Sequence, residues 1–153
     1  PELHSLSPRK YGEDGLRPSF KFTTGAVYRG QWKGTARHGF GRQEWSDGAT
    51  YIGEWIENYA QGKGKMLHSD GDAYVGQWKR NVAHGKGVYY HKGHISYEGE
   101  WCNDLQEGCG VEICGEGWRY EGEFRGGNKD GWGVYHWPDK SKYHGRWERN
   151  TIN

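Results

Sequence analysis

Large aromatic residues alternate with polar ones in short stretches of this chain, and glycine occupies the position between two aromatic residues. In residues 28–32 this alternation places Tyr28, Gly30 and Trp32 on one side of an extended segment, because successive side chains of a strand point to opposite faces. Residues 33–38 are polar and predict a loop, and residues 39–45 alternate again. The pattern predicts a β-hairpin with strands near 28–32 and 41–45.

The same pattern recurs with a period of 23 residues. Its first half, Tyr-x-Gly-x-Trp, begins at Tyr28, Tyr51, Tyr74, Tyr97, Tyr120 and Tyr143, with Phe124 replacing tryptophan in the fifth copy. Its second half is a Gly-x-Gly pair, found at Gly39/Gly41, Gly62/Gly64, Gly85/Gly87, Gly108/Gly110 and Gly131/Gly133. Ser-Asp-Gly at 46–48 and 69–71 supplies a turn between copies. Three signals in register indicate a repeat array.

The glycines are predicted to be seats for aromatic rings. If Trp32 lies opposite Gly39, then Gly30 faces Gly41 and Tyr28 faces Gln43, all on one face of the hairpin. A large ring can then lie across the bare glycine backbone of the neighbouring strand. The rings given this structural role, beyond those assigned to partner binding below, are Tyr28, Trp32, Tyr51, Tyr120, Phe124, Tyr143 and Trp147.

The predicted fold is all-β: an elongated, twisted, single-layer antiparallel sheet of stacked 23-residue hairpins, without a helix longer than two turns in residues 20–147. Neighbouring copies bury their rings against each other, so stability is a sum of repeat and interface terms. We expect a loose leader over residues 1–19, followed by the repeat array over 20–153. Within the array we expect a cap strand at 20–27, repeats at 28–50, 51–73, 74–96, 97–119 and 120–142, and a partial repeat at 143–153.

Composition narrows the function classes. Only 33% of the residues are hydrophobic, yet nine Trp and eleven Tyr separate the chain from disordered sequences. The net charge is +1 and no block of five like charges occurs, so a nucleic-acid footprint is not supported. No apolar run approaches the roughly 20 residues of a membrane span. Three cysteines without paired spacing fit a reducing compartment, and we expect a cytoplasmic location.

Candidate catalytic and metal chemistry is weak. Five Gly-x-Gly copies without following helices do not fit a dinucleotide-binding loop. His38 and His84 share a repeat position with an amide and carboxylates, which indicates a solvated loop position. His91 and His94 with Cys102, Cys109 and Cys114 lack a C-x-x-C pair. We therefore expect no catalytic residues, no metal and no cofactor, and assign no enzymatic activity to this segment.

The Tyr-x-Gly-x-Trp, Gly-x-Gly and Asp-Gly pattern at 23 residues resembles the MORN repeat family, from about Phe20 to Trp147. The chain departs from the family pattern at three places. Phe124 replaces the tryptophan, the glycine between repeats is shifted at Gly93-His94, and Asp139-Lys140 lacks that glycine. The resemblance implies scaffolding. In some lipid kinases and a methyltransferase, MORN arrays lie next to a catalytic domain. MORN arrays also occur in junctophilins, ciliary proteins and cytoskeletal proteins of parasites. In retinophilin-like members the groove binds a helical myosin tail segment, and the family name attributes lipid binding to it.

Three functional hypotheses follow. The first is a non-enzymatic scaffold whose aromatic groove binds a helix or extended peptide of a protein partner. Its expected contacts lie mid-array, at Trp55, Tyr74, Trp78, Tyr97 and Trp101. Alternatively these rings only stack on each other and on glycine.

The second hypothesis is phospholipid binding through loop basic residues. The residues expected to do this are Lys33, Arg37, Lys63, Lys79, Arg80 and Lys86. The third is self-association of two copies through an array end. Attachment to the cytoskeleton or to a membrane is the location that these hypotheses imply.

Overall fold

A computed structural model describes residues 15–92 and 94–153. These described residues form fourteen strands and contain no helix. The strands are β1 Gly15–Leu16, β2 Phe20–Lys21, β3 Val27–Lys33, β4 Ala36–Glu44, β5 Thr50–Ile56, β6 Tyr59–Leu67, β7 Ala73–Lys79, β8 Val82–His91, β9 Ile95–Cys102, β10 Leu105–Cys114, β11 Arg119–Arg125, β12 Asn128–His136, β13 Lys142–Glu148 and β14 Thr151–Ile152. They form one open antiparallel sheet in chain order from β3 to β14, with β1 and β2 both pairing with β3. The predicted fold is confirmed.

The ends of the array differ in detail from the predicted boundaries. Most of the leader, residues 1–14, lies outside the described residues. Gly15 and Leu16, which we placed in that leader, pair with Trp32 and Gln31 along the free edge of β3. Phe20 pairs with Tyr28, as a cap strand does.

Each hairpin is longer than predicted, and its loop is shorter. The six-residue loop expected at 33–38 is wrong: β3 continues to Lys33 and β4 starts at Ala36, so two residues make the turn. In the second hairpin the turn is Glu57-Asn58, with φ of 45° and 73°. Positive φ at both positions is the geometry of a type I′ turn, whose twist matches that of the flanking strands. Asn and Gly tolerate this conformation, and one of them or Asp fills the second position in four further copies.

One part of the predicted register is also wrong. Gly30 pairs with Gly41 and Tyr28 with Gln43, as expected, but Trp32 pairs with Arg37 rather than with Gly39. A β-bulge in β4 displaces Gly39, which has φ +92° and pairs with Trp55 of the next hairpin.

The second glycine of each Gly-x-Gly pair lies beneath a ring, and that ring is a tyrosine. An added Cβ at Gly110 would overlap the Tyr97 ring, and one at Gly133 would stand 2.5 Å from the Cε2 and Cζ carbons of Tyr120. Gly110 and Gly133 are both buried, so they offer no surface to a partner. The five glycines in this position, one in each successive repeat, are Gly41, Gly64, Gly87, Gly110 and Gly133.

The first glycine of each pair has a different environment, so the expectation that it also seats a ring is wrong. Each of these glycines lies in a bulge with positive φ, where an added Cβ would overlap a Gln or Glu side chain of the preceding strand. The glycines concerned are Gly39, Gly62, Gly85, Gly108 and Gly131. The pair therefore combines two separate requirements, a bulge and a ring seat.

A polar side chain holds each bulge in place. The Gln31 amide oxygen accepts a hydrogen bond of 2.7 Å from the Phe40 amide, which the bulge turns away from the regular ladder. The residue before each aromatic ring does this in five copies: Gln31, Glu54, Gln77, Glu100 and Glu123. This repeat position holds either Gln or Glu because both side chains supply an oxygen that accepts the hydrogen bond from the bulge amide.

The rings form a continuous edge-to-face ladder through the array. Tyr28 contacts Trp32 of its own repeat at 5.0 Å between centroids and Trp55 of the next at 5.5 Å. The Tyr28 hydroxyl donates to the Gln31 carbonyl at 2.8 Å, and the Trp55 indole donates to the Gly41 carbonyl at 3.1 Å. Burial raises the pKa of Tyr28 to about 12, so its hydroxyl stays protonated and donating.

This ladder replaces an aliphatic core. Trp78 packs against both buried aromatic clusters and joins them. Edge-to-face pairs contribute about 0.5–1.5 kcal/mol each beyond area burial.

Turn residues fasten each hairpin to the one before it. The Asn58 side-chain oxygen accepts from the Arg37 amide at 2.9 Å, and the Asn58 amide donates to the Arg37 carbonyl at 3.0 Å. The same pair of bonds is made by Asn81, Asp104 and Asn150. Gly127 makes only the backbone bond, to the Gln106 carbonyl at 3.0 Å. The fifth copy therefore lacks half of this fastening.

Replacing Gly127 with Asn is expected to stabilise the protein by about 0.5–1 kcal/mol. The new side-chain oxygen reaches the Gln106 amide, and an added Cβ meets Leu105 only at an ordinary 3.6 Å. Asn already occupies the same turn position at φ 73° in Asn81. Chemical denaturation measures the gain. Asn81→Gly is the matched reverse change and should lose a similar amount; equal stabilities of both variants and the wild type would contradict this role.

Candidate partner-binding groove

The two faces of the sheet are chemically different. One carries the aromatic ladder and is called the aromatic face; the other carries residues such as Arg42, Lys65 and Glu98 and is called the outer face. A groove of about 590 Å³ runs along the aromatic face. Its walls include the rings of Trp55, Trp78 and Trp101.

Small residues make the floor of this groove. The position that pairs with each Trp inside a hairpin, or with Phe124 in the fifth repeat, holds Arg37, Ala60, Ala83, Gln106 and Lys129 in successive repeats. Ala60 and Ala83 leave the space open in the second and third repeats, where Met66 and Tyr89 complete the lining.

Arg37 fills the same position at the N-terminal end of the groove. Its guanidinium lies 4.7 Å from the Trp55 ring centroid and 5.4 Å from that of Phe22. It also donates to the side-chain oxygens of Gln43 and Asn58. Arg37 is therefore a buried structural cation, which corrects its assignment as a loop residue facing lipid.

Lys129 fills the position in the fifth repeat. Its ammonium lies 2.9 Å from a Glu112 carboxylate oxygen, with both side chains about 15% exposed. It also lies 5.4 Å from the Tyr120 ring and 5.6 Å from that of Trp118. The open part of the groove thus lies between Arg37 and Lys129.

The two borders of the groove differ. The hairpin turns contribute the polar residues Asn58, Asn81 and Asp104 on one side. The joints between repeats contribute Trp45, which packs on the aromatic core, and His68 on the other side. An apolar floor with a polar rim is the usual composition of a protein-binding surface.

Four of the five residues expected to bind a partner line the groove: Trp55, Tyr74, Trp78 and Trp101. Tyr97 is not among the lining residues and packs against Phe124 at 4.9 Å. Trp55, Tyr74 and Tyr97 are at most 3% exposed. The rings therefore support the groove from below and offer little free surface, because they already pack on each other.

Sequence reasoning missed the two alanines and the residues beside them, Met66 and Tyr89. The signal was available in the repeat position that reads Arg, Ala, Ala, Gln, Lys. Its meaning depended on the register, because the bulge places this position, and not Gly39, opposite Trp. The groove is lined where this position holds alanine, and the larger side chains of Arg37, Gln106 and Lys129 occupy the position in the other repeats.

A polar cluster fixes one border of the groove between the second and third repeats. Asp72 is buried and accepts a hydrogen bond from the Tyr89 hydroxyl. His91 Nδ1 lies 2.8 Å from the same carboxylate, and the Lys92 amide donates to it at 3.2 Å. These hydrogen bonds, from Tyr89 foremost and then His91, lower the pKa of Asp72 below its usual range. His91 therefore has a hydrogen-bond partner in the Asp72 carboxylate.

Asp72→Asn is expected to lower the melting temperature at neutral pH. Because the folded-state pKa of Asp72 is depressed, its contribution is complete above the unfolded value of about 4 and is lost as the pH falls through the folded value. The difference between variant and wild type should therefore shrink below about pH 4. Thermal melts from pH 7 downward measure this, with Glu116→Gln as an exposed control; a difference independent of pH would contradict it.

His38 and the residues at the same repeat position also have a structural role. The Glu57 amide donates to His38 Nδ1 at 3.3 Å, and the Arg80 amide donates to the Gln61 side chain at 3.0 Å. Glu107 accepts from the Gly126 amide at 2.9 Å. The interpretation as a solvated loop position is wrong, since these residues lie in strands and cap the next turn. In residues 15–92 and 94–153 no group of three His, Cys, Asp or Glu side chains is placed to hold a metal ion.

Comparison with known families agrees with the repeat pattern. The profile of the MORN repeat matches residues 28–50, 51–73, 74–94, 97–119 and 120–142. No curated protein matches the chain. No helix in the described residues is long and apolar enough to cross a membrane.

Proposed function

The chain belongs to the MORN repeat family, and from this premise we propose that it is a non-enzymatic scaffold whose groove binds an apolar segment of a protein partner. MORN repeats are commonly protein- or membrane-binding modules. One observation carries the proposal: the groove is lined by Ala60 and Ala83, which pair with Trp55 and Trp78, whereas the larger side chains of Arg37, Gln106 and Lys129 occupy the same repeat position before and after them.

The repeat spacing indicates what kind of segment fits. Ala60 and Ala83 are two strands apart, which corresponds to about 10 Å at the usual strand spacing. Seven residues of an α-helix rise about 10.5 Å, and one three-residue turn of an extended polyproline II chain rises about 9.3 Å. A helix with apolar side chains one heptad apart, or a polyproline II segment with them three residues apart, would place one side chain over each alanine. Both forms use the same two positions.

The binding energy is expected to come from apolar side chains that enter the spaces over the alanines. Interface energy concentrates in a few central, well-packed contacts. The polar atoms of Asn58 and Asn81 are already used within the array. The groove therefore contributes its shape and its apolar surface to binding. Its polar border stays in contact with solvent.

Binding to anionic phospholipid is the second candidate function. The observation that favours it is a set of basic residues on the outer face of the first three repeats, including Arg42, Lys63, Lys65 and Lys86. Each basic residue near an acidic membrane surface contributes about 1 kcal/mol. This function uses the face opposite the groove, so the two candidates can be separated by mutation. A cytoplasmic location attached to the cytoskeleton or to a membrane is part of both candidates.

Selection from a displayed peptide library tests the groove directly. We expect enriched peptides to share apolar residues at a spacing of seven or of three, and to bind wild type but not Ala83→Lys. Lys129 occupies the equivalent position in the fifth repeat, and circular dichroism checks that Ala83→Lys folds. Peptides that bind both proteins equally would refute the groove. Sedimentation with phosphatidylserine vesicles, lost on Lys63→Glu with Lys86→Glu, would favour the lipid function.

A further inference from the structure

Charge is distributed unevenly along the outer face. One row of outer-face residues crosses the sheet from β4 to β11 in continuous register: Arg42, Ile52, Lys65, Val75, Val88, Glu98, Val111 and Glu121. Its cations lie in the first two repeats and its anions in the fourth and fifth. The net charge of +1 hides this separation because it sums over both halves.

The charges of this row are complementary to those of the same row read in the opposite direction. Its midpoint lies between Val75 on β7 and Val88 on β8. Counting outward from that point, Lys65 on β6 occupies the place equivalent to Glu98 on β9. Further out, Arg42 on β4 is equivalent to Glu121 on β11. Each cation is thus matched by an anion at the same distance from the midpoint.

We propose that two copies of this chain pack outer face to outer face about a two-fold axis parallel to the strands, between β7 and β8. With such an axis, the strands of the second copy face those of the first in reversed order, and each row of residues faces the same row of the second copy. Lys65 then faces Glu98 of the second copy, Arg42 faces Glu121, and Val75 faces Val88. An interface of this kind is isologous, so every contact occurs twice.

Neighbouring rows agree with the same axis. Lys63 on β6 is placed to face Glu100 on β9 of the second copy. Glu44 on β4 faces Arg119 on β11. Arg42 and Glu44 already pair at 3.3 Å, as do Arg119 and Glu121 at 3.0 Å, so two exposed ion pairs meet with opposite polarity. These rows bring no two like charges together about this axis.

The outer face also has apolar surface for a second copy to cover. Val75 is 42% exposed, Leu67 is 43% exposed and Ile113 is 46% exposed. The two-fold axis keeps the strands of both sheets nearly parallel, which lies within the roughly 30° range of strand directions at which sheets pack face to face. A stable interface needs about 20–30 residues on each side, which the rows of β4 to β11 supply.

This dimer is independent of the groove. The aromatic face points away from the interface, and both grooves of the dimer stay open to partners. It also differs from self-association through an array end, which would leave outer-face charges in solvent. Variants of the outer face therefore discriminate between the two modes of association.

A charge exchange between two variants tests the proposal. Arg42→Glu/Lys65→Glu places acidic residues opposite Glu121 and Glu98, and Glu98→Lys/Glu121→Lys places basic residues opposite Arg42 and Lys65. Each variant alone should dimerise at least 100-fold more weakly, because like charges in an interface cost several kcal/mol. Mixed together, the two variants restore all four opposite pairs and should form a heterodimer.

Sedimentation equilibrium up to about 200 μM, where standard-size interfaces are populated, measures the association. Lys140→Glu/Arg149→Glu changes net charge as much as Arg42→Glu/Lys65→Glu but lies at the ends of hairpins, and it should dimerise like wild type. Circular dichroism checks that all variants fold. A monomeric wild type would overturn the proposal, and so would a dimer that both outer-face variants retain.

Discussion

Gly87→Val is expected to destabilise the protein by about 3 kcal/mol or more, as overpacking of a closed site does. Gly87 lies beneath the Tyr74 ring, and a Cβ there would stand within 2.6 Å of the ring carbon Cε2 and closer still to the hydroxyl. The ring cannot retreat, because it packs edge-to-face against Trp78 at 5.1 Å and Trp101 at 5.2 Å. Chemical denaturation measures the loss.

The comparison with neighbouring substitutions identifies the cause. Lys79→Ala, at an exposed outer-face position, should change stability by less than about 0.5 kcal/mol. Gly85→Val should also be costly, but for another reason: its φ of +91° is unfavourable for valine, and the Cβ would overlap Gln77 rather than a ring. Equal melting temperatures of Gly87→Val and Lys79→Ala would show that rings do not rest on these glycines.

Trp78→Ala is expected to cost about 3–5 kcal/mol, the usual loss for a large aromatic residue of a core. Trp78 joins the two aromatic clusters through Tyr51 at 5.3 Å and Tyr74 at 5.1 Å. Its indole also donates to the Gly64 carbonyl at 3.0 Å. We expect the unfolding transition to become less cooperative, because the halves of the array lose their shared ring.

Trp78→Phe is the matched control for this result. Phe124 occupies the same repeat position in the fifth copy and packs at 5.2 Å from Tyr120. The phenyl ring keeps most of the packing and loses the hydrogen bond to Gly64, so we expect a cost of about 1–2 kcal/mol. If Trp78→Ala and Trp78→Phe unfold at the same denaturant concentration, the ladder does not connect the repeats.

The fold could be predicted from the sequence because alternation and period are local signals. Tyr28, Gly30 and Trp32 fix one face of a strand, and the 23-residue repeat fixes its neighbours. The turn could not be placed in the same way, because Glu57-Asn58 carries no glycine to mark positive φ. The same polar residues are compatible with a six-residue loop and with a two-residue turn followed by a bulge, so the sequence alone does not distinguish the two.

The floor of the predicted groove could not be identified from the sequence for a related reason. Its floor depends on which residue pairs with each Trp, and the bulge at Gly39 moves that pairing from a glycine to Arg37, Ala60 or Ala83. The number of residues in a bulge is set by side-chain contacts such as that of Gln31 with the Phe40 amide. The aromatic residues were recognisable from spacing, whereas the free space above them was not.

The affinity of one groove-selected peptide for three proteins tests the central claim most directly. The proteins are the wild type, Ala60→Arg/Ala83→Lys, and Lys63→Glu/Lys86→Glu. Arg37 and Lys129 occupy the equivalent positions of other repeats, and circular dichroism checks that the groove variant folds.

By titration calorimetry we expect the groove variant to bind at least about 30-fold more weakly, which corresponds to about 2 kcal/mol. The outer-face variant should bind like the wild type. A folded groove variant that keeps wild-type affinity, or loss of binding in the outer-face variant alone, would contradict the account.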